Sequence, residues 1–304
     1  GPTMNIICIH GMNQQHQTAE SLRRLWLSIL EQGLKRSQQS HFFADLKQAI
    51  CMPFYGDLLS KHHLQNTLNA STLMPQHWPH FPLLHPVKIQ KPTTVVEEHR
   101  PGDCNIPHLQ VYDALNFNQK LKWLSALSRD IALRDFARLI NYFPKLHASL
   151  LHKFLVEAYL YLADPHFIQE VHSRIYAQLC QDNTHIILAH SLGTVIAYNL
   201  LIQHPELNIA RFITLGSPLA FRVIQEHLQQ PIQRPTALHG DWINFYSPDD
   251  FLTAFPLSEP PFHFKPAILN RQVQTPVDRP HEVYSYLQHP QVLEALVELL
   301  PESA

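Results

Sequence analysis

Short apolar runs alternate with stretches of helical spacing along most of this 304-residue chain. Apolar runs with strand-like character lie at residues 5–9, 49–57, 184–189, 210–218, 241–250 and 267–275. The β-branched run at residues 5–9 is typical of a strand buried on both faces. Helical spacing is found at residues 18–36, 115–163, 166–180, 192–201 and 282–300. Thr18 is a candidate N-cap for the first helix. Because strands that alternate with helices form mostly parallel sheets, the pattern predicts an α/β fold with helices on both faces of the sheet.

The alternation stops between residues 58 and 112, where prolines and histidines replace the apolar runs. Helical spacing returns at residues 115–163, and Pro144 predicts a break between two helices there. We therefore predict a core formed by residues 4–56 and 166–304, with an irregular and helical insertion at residues 57–165. The first three residues, ahead of Met4, are interpreted as a scar of tag cleavage.

Composition narrows the functional classes. The formal net charge is −2 and no basic block occurs, which argues against a nucleic-acid partner. No signal peptide and no uninterrupted apolar stretch of about 18 residues is found, so we expect a cytoplasmic protein; export by another route stays open. The four cysteines are irregularly spaced and are predicted to be reduced. The 22 histidines form no metal-binding motif, so no metal or cofactor is expected.

Chemically useful residues collect where the predicted strands end. They are His10 and Gly11, then His190 and Ser191, then Gly216 and Ser217, then Asp249 and Asp250, and finally Asp278 and His281. The carboxyl ends of parallel strands meet at one edge of a sheet, and ligands bind there. Gly11, Gly193 and Gly216, from a total of eight glycines, fall at these turns and indicate close backbone approaches.

The segment ILAHSLGTVIAYNLL, residues 187–201, places Ser191 between an apolar strand and an apolar helix. This strand, small-x-Ser-x-Gly and helix sequence resembles the nucleophile elbow of α/β-hydrolases, the superfamily of many lipases and esterases. An upstream strand ending in His-Gly and the order Ser, acid, His extend the resemblance over residues 4–56 and 166–300. Ala189 replaces the usual first glycine. The chain begins at what would be the third strand, which implies a reduced sheet.

The resemblance implies roles for several residues. Ser191 is the expected nucleophile, His281 the base and Asp250 the acid, with Asp249 as the alternative acid. The backbone N–H groups of Met12 and Leu192 are the expected oxyanion hole. Further site-lining candidates are His10, Gly11, His190 and Ser217, of which Ser217 is better explained as a turn residue. His239, His263 and His289 compete with His281, and Asp57 is better explained as a turn aspartate.

The expected activity is hydrolysis of carboxylic esters of small molecules or lipids through an acyl-enzyme on Ser191, and the resemblance to lipases favours lipid-like acyl esters. Alternatives with the same chemistry are a thioesterase, an amidase, an acyltransferase and a membrane-acting phospholipase. A non-catalytic binding protein on a hydrolase fold is the alternative of another class. The insertion corresponds to the cap or lid of such enzymes. Its helical part carries seven basic and three acidic residues, so a peripheral contact with anionic lipid is a second interpretation. The oligomeric state stays open.

Overall fold

The computed structural model of the chain describes residues 4–11, 17–58, 165–179, 182–225, 228–248, 250, 256–275 and 283–301. Elements are numbered along these residues. The strands are β1 (Met4–Ile9), β2 (Ile50–Cys51), β3 (Thr184–His190), β4 (Ile209–Leu215), β5 (Leu238–Tyr246) and β6 (Leu269–Gln272). The α-helices are α1 (Ala19–Arg36), α2 (Phe43–Ala49), α3 (Pro165–Tyr176), α4 (Leu192–Gln203), α5 (Arg222–Gln225), α6 (Val283–Leu287) and α7 (Pro290–Val297). A short 3-10 turn, Ser40–Phe42, precedes α2.

Within the described residues, six strands form one parallel sheet in the order β2-β1-β3-β4-β5-β6. The predicted α/β class with a parallel sheet is confirmed. The chain first adds β2 to one side of β1 and then returns to add β3 on the other side. Such a reversal leaves a crevice beyond the carboxyl ends of the two strands where it occurs. In this sheet those strands are β1 and β3.

Helices cover both faces of the sheet. Alternate residues of the central strands, such as Ile6, Cys8, Ile186 and Leu188, share one core cluster with side chains of α1, α2, α6 and α7. Helix α4 contacts β1 and β3 but contributes no residue to that cluster. Parallel strands are generally joined by right-handed crossovers, so a change in the direction of strand addition, as at β1, puts the connecting helices on opposite faces.

The first helix begins as its sequence predicts. Thr18 is the N-cap, and its hydroxyl oxygen accepts a hydrogen bond from the Ser21 N–H at 3.0 Å. The Ser21 hydroxyl oxygen in turn accepts from the Thr18 N–H at 2.9 Å, which completes a capping box. The apolar side of α1, including Leu22, Trp26 and Leu30, is buried.

The apolar run at residues 49–57 gives a strand of two residues. Pro53 has no backbone N–H and so cannot extend a ladder beyond Cys51. The rest of the run stays in the core as a loop, where Tyr55 is buried and packs against the end of β1. None of the helices in the described part of the chain has the length and apolar character needed to span a bilayer.

Contacts along the chain define two compact units. One contains residues 1–57, 170–220 and 228–304, and the other contains residues 58–169 and 221–227. The sheet and every residue considered as a site candidate below belong to the first unit. Most of the predicted insertion, residues 59–164, lies outside the described residues.

Candidate active site

Ser191 lies at the turn between β3 and α4, on one side of the crevice between β1 and β3. Its backbone has φ of 57° and ψ of −129°. Residues other than glycine rarely adopt such a backbone conformation, which costs about 1–3 kcal/mol. Its N–H donates to the carbonyl oxygen of Leu215 at 3.0 Å, and its carbonyl oxygen accepts from the Thr194 hydroxyl at 2.8 Å. The turn is therefore held from the neighbouring strand and from the first turn of α4.

Two glycines allow the backbone to approach this turn closely. A Cβ on Gly11, just after β1, would lie 3.2 Å from the Cβ of Ser191 and 3.6 Å from its Oγ. A Cβ on Gly193 would lie 2.6 Å from the carbonyl oxygen of His10, nearer than real Cβ contacts allow. The end of β1 thus lies against both Ser191 and the start of α4. The close approaches predicted at Gly11 and Gly193 are present.

His10 is fixed as a neutral ring. Its Nδ1 lies 2.6 Å from the carbonyl oxygen of Gly11, and its Nε2 accepts from the Tyr55 N–H at 3.3 Å. The Tyr55 hydroxyl donates to the His10 carbonyl, and the two rings stack with centroids 3.9 Å apart. Burial lowers the pKa of His10 to about 4. With both nitrogens occupied, His10 shapes the turn after β1 and is a poor candidate for the base.

Asp250 follows β5 and is fully buried. Its N–H donates to the carbonyl oxygen of Ser247 at 3.1 Å, a turn in which the Ser247 hydroxyl also lies 2.7 Å from the Thr275 hydroxyl. The Oδ2 atom of Asp250 accepts a hydrogen bond from the phenolic hydroxyl of Tyr286 at 2.6 Å. The buried Asp250 carboxyl group therefore lies beyond the carboxyl ends of the strands, as Ser191 does, and β4 lies between the strands that precede the two residues.

Leu192 is the first residue of α4 and is buried. The first N–H groups of a helix have no helical carbonyl to bind and lie at the positive end of the helix dipole. The Leu192 N–H, adjacent to Ser191, is one of these first N–H groups. His190, at the end of β3, is half-buried, and its ring centroid lies 6.1 Å from that of Tyr286.

Two further candidates have contacts that occupy their polar atoms. The Ser217 hydroxyl lies 2.8 Å from the Thr194 hydroxyl and accepts from the Leu219 N–H at 3.3 Å. Asp57 forms a two-pronged ion pair with Arg174, in which the Nη2–Oδ2 distance is 3.0 Å. These are the contacts of residues that hold turns and loops in place.

The three histidines that compete with His281 for the role of base lie at different places in the structure. His239 is exposed near the amino end of β5, at the opposite sheet edge from Ser191. His263 is exposed on the connection between β5 and β6. His289 caps α7, where its Nδ1 accepts from the Gln291 N–H at 3.3 Å. His281, Met12 and Asp249 lie outside the described residues.

Sequence reasoning missed Tyr55, Thr194 and Tyr286. Thr194 had a local signal, since it follows Ser191 by one helical turn and a hydroxyl there reaches back to the turn. Tyr286 is 36 residues from Asp250, and nothing in the local pattern pairs them.

Comparisons of the chain with protein-family models, with curated proteins and with solved structures find no match. The site therefore has to be interpreted from its own geometry.

Proposed function

We propose that the protein is a serine hydrolase that cleaves carboxylic esters, with lipid-like acyl esters as its substrates, through an acyl-enzyme on Ser191. The observation that carries the proposal is the backbone of Ser191. A serine with positive φ stands directly between a buried strand and a buried helix, at the crevice of a parallel sheet. This is the geometry that a nucleophile elbow requires, because it lifts the hydroxyl out of the sheet.

The order and position of the acid support a triad of the α/β-hydrolase type. Asp250 comes after Ser191 in the chain and follows β5, and β4 lies between β3 and β5. Two strand spacings put the ends of β3 and β5 roughly 10 Å apart. An imidazole that forms a hydrogen bond of about 3 Å on each side fits a gap of this size.

His281 is the best candidate for that imidazole. It precedes α6 by two residues, and α6 carries the Tyr286 hydroxyl that binds Asp250. The segment that follows His281 is thus tied to the acid. The exposed positions of His239 and His263 and the capping contact of His289 make His281 the favoured candidate of the four.

The proposed reaction is acyl transfer in two steps. His281 takes the proton of the Ser191 hydroxyl as Oγ attacks the ester carbonyl carbon. The leaving alkoxide receives that proton when the carbon–oxygen bond breaks, which releases the alcohol. Water then attacks the acyl-enzyme with the same base, and Ser191 regains its proton as the carboxylic acid leaves. Asp250 orients the imidazole and stabilises its protonated form.

The N–H of Leu192, together with that of Met12, is proposed to bind the negative oxygen of the tetrahedral intermediate. The Gly11 backbone beside Ser191 supports this assignment, because Met12 follows Gly11 directly in the chain. Loss of one such donor costs about 3 kcal/mol of transition-state stabilisation.

The proposal that residues 57–165 form a lid over an acyl pocket rests on the family resemblance alone, as does the preference for lipid-like acyl groups. The cytoplasmic location stays a prediction.

The test combines covalent labelling with a substrate panel. Purified protein is treated with a fluorophosphonate probe and assayed on p-nitrophenyl esters from acetate to palmitate, on acyl thioesters and on phospholipid vesicles. We expect labelling and ester hydrolysis, both abolished by Ser191→Ala. Ser217→Ala is the matched control, because it removes the serine hydroxyl of the next strand end, and it should still be labelled. An unlabelled wild-type protein, or a labelled Ser191→Ala variant, would exclude the proposal.

A further inference from the structure

Tyr286 and Asp250 form a buried pair, and Tyr286 has no role of its own in the proposed acyl transfer. The Tyr286 hydroxyl donates to Oδ2 of Asp250 at 2.6 Å, and both side chains are fully buried. A distance of this size lies at the short end of the range for O–H···O hydrogen bonds. The low dielectric of the core strengthens such a bond.

The donor is held rigidly in place. The Tyr286 ring belongs to the core cluster between the sheet and α1. Helix α6 ends against α1 at Gly33, where an added Cβ would lie 3.1 Å from the Cα of Gln288. The carbonyl oxygen of Tyr286 accepts from the N–H of His289 at 3.0 Å. The hydroxyl therefore occupies one position relative to the sheet and has little freedom to leave Asp250.

We propose that Tyr286 is a positioning residue for the triad: its hydroxyl holds the Asp250 carboxylate in the orientation that His281 needs. The inference rests on the proposed function and assigns a role within the same site. A carboxylate has two oxygens and accepts several hydrogen bonds, so one side chain can bind both the Tyr286 hydroxyl and an imidazole N–H. Tyr286 acts through Asp250 and does not itself contact the substrate.

This role predicts a specific kinetic pattern. The carboxylate matters most when the imidazole carries a positive charge, which happens in the transition state and not in the bound substrate complex. Loss of the orienting hydroxyl should therefore lower kcat and leave KM unchanged. A hydrogen bond to a charged group is strong enough for a decrease in kcat of roughly tenfold to a hundredfold.

The experiment compares Tyr286→Phe with Tyr198→Phe on p-nitrophenyl butyrate. Tyr198 is the matched control, because it is also fully buried and its hydroxyl bonds to a backbone group, the Gln233 carbonyl, at 3.0 Å. Titration with the fluorophosphonate probe counts the competent molecules, so that loss of folded protein does not imitate loss of kcat. The same comparison is repeated in an Asp250→Asn background.

We expect Tyr286→Phe to lower kcat, whereas Tyr198→Phe should stay close to wild type. In the Asp250→Asn background, Tyr286→Phe should lower kcat no further. If wild-type protein hydrolyses the ester and Tyr286→Phe matches Tyr198→Phe, the positioning role is wrong and the proposed function stands. An equal effect of Tyr286→Phe in both backgrounds also overturns it. If wild-type protein is neither labelled nor active, the proposed function fails first and this role fails with it.

Discussion

The start of α4 lies so close to the end of β1 that a Cβ on Gly193 would stand 2.4 Å from the carbonyl oxygen of Ile9. The opposing atoms belong to the backbone of a buried strand and cannot move aside. We therefore expect Gly193→Ala to lower the free energy of unfolding by about 3 kcal/mol, the upper end of the range for overpacked sites. Urea unfolding followed by circular dichroism measures the loss.

Gly33→Ala in α1 is the matched control for that substitution. Its added Cβ would meet the tip of the Leu293 side chain at 2.9 Å and the Cα of Gln288 at 3.1 Å. The tip can rotate away, the Gln288 backbone has to shift by only a few tenths of an ångström, and alanine gains about 1 kcal/mol of helix propensity over glycine. We expect a smaller loss than for Gly193→Ala. Equal stability of the two variants would contradict the close approach described for Gly193.

Local pattern predicted the elements of this fold well. The capping of α1 by Thr18, the buried strands β1 and β3 and the strand-to-helix turn at Ser191 all depend on residues within one or two turns of each other. The length of β2 was less predictable, because a single proline, Pro53, outweighs the apolar run around it.

Long-range pairing could not be predicted in the same way. The partners Tyr286 and Asp250, or Arg211 and Glu298, are far apart in the chain, and their contact follows from how helices pack on the sheet. The role of His10 was also hidden. The sequence indicated His10 only as a candidate that lines the site, and the stacking and hydrogen bonds of Tyr55 show that its ring is already engaged.

The lowered pKa of the buried His10 leads us to expect a loss of stability in mild acid. Burial lowers its pKa to about 4 in the folded protein, whereas an unfolded histidine titrates near 6.5. Between these values the unfolded state binds more protons, so stability falls as the pH decreases and is regained as it rises. From pH 7 to pH 5 the contribution of His10 is a loss of about 2 kcal/mol.

Urea unfolding at a series of pH values checks this expectation against His10→Asn. Asparagine cannot be protonated, so the variant should start less stable and show a shallower decline between pH 7 and pH 5. Burial also lowers the pKa of His172 and of His289, so some decline should persist in the variant. Identical slopes in the two proteins would show that His10 does not resist protonation.

Because Arg211 is more buried than its acidic partners, we expect removal of the arginine and neutralisation of the carboxylates to change the free energy of unfolding by different amounts. Its side chain is almost buried, whereas its partners Asp241 and Glu298 are about half exposed. Arg211 also donates to the carbonyl oxygen of Ala295 at 3.0 Å. Without the arginine both carboxylates return to water, so Arg211→Met should cost about 1 kcal/mol, the value of the lost hydrogen bond.

Neutralising the two carboxylates should cost more than removing the arginine. In the Asp241→Asn/Glu298→Gln variant the positive charge of Arg211 stays in the core without compensation, which typically costs about 3 kcal/mol. Chemical denaturation of both variants at low salt gives the comparison. The reverse order of stabilities would mean that Arg211 is well solvated.

Asp250 and Asp57 offer the sharpest test of the proposed acid, since both aspartates follow strands of the sheet. Asp250 is fully buried, whereas Asp57 is half exposed in its ion pair with Arg174. We expect Asp250→Asn to lower kcat for p-nitrophenyl butyrate by roughly 10³- to 10⁴-fold, because an amide neither selects the required imidazole tautomer nor stabilises its charge. Asp57→Asn should leave kcat within about twofold of wild type, since an exposed ion pair contributes at most about 1 kcal/mol to stability and none to the chemistry. Steady-state rates normalised by fluorophosphonate titration make the comparison. A wild-type rate in Asp250→Asn would move the role of the acid to another carboxylate, with Asp249 the first to be substituted.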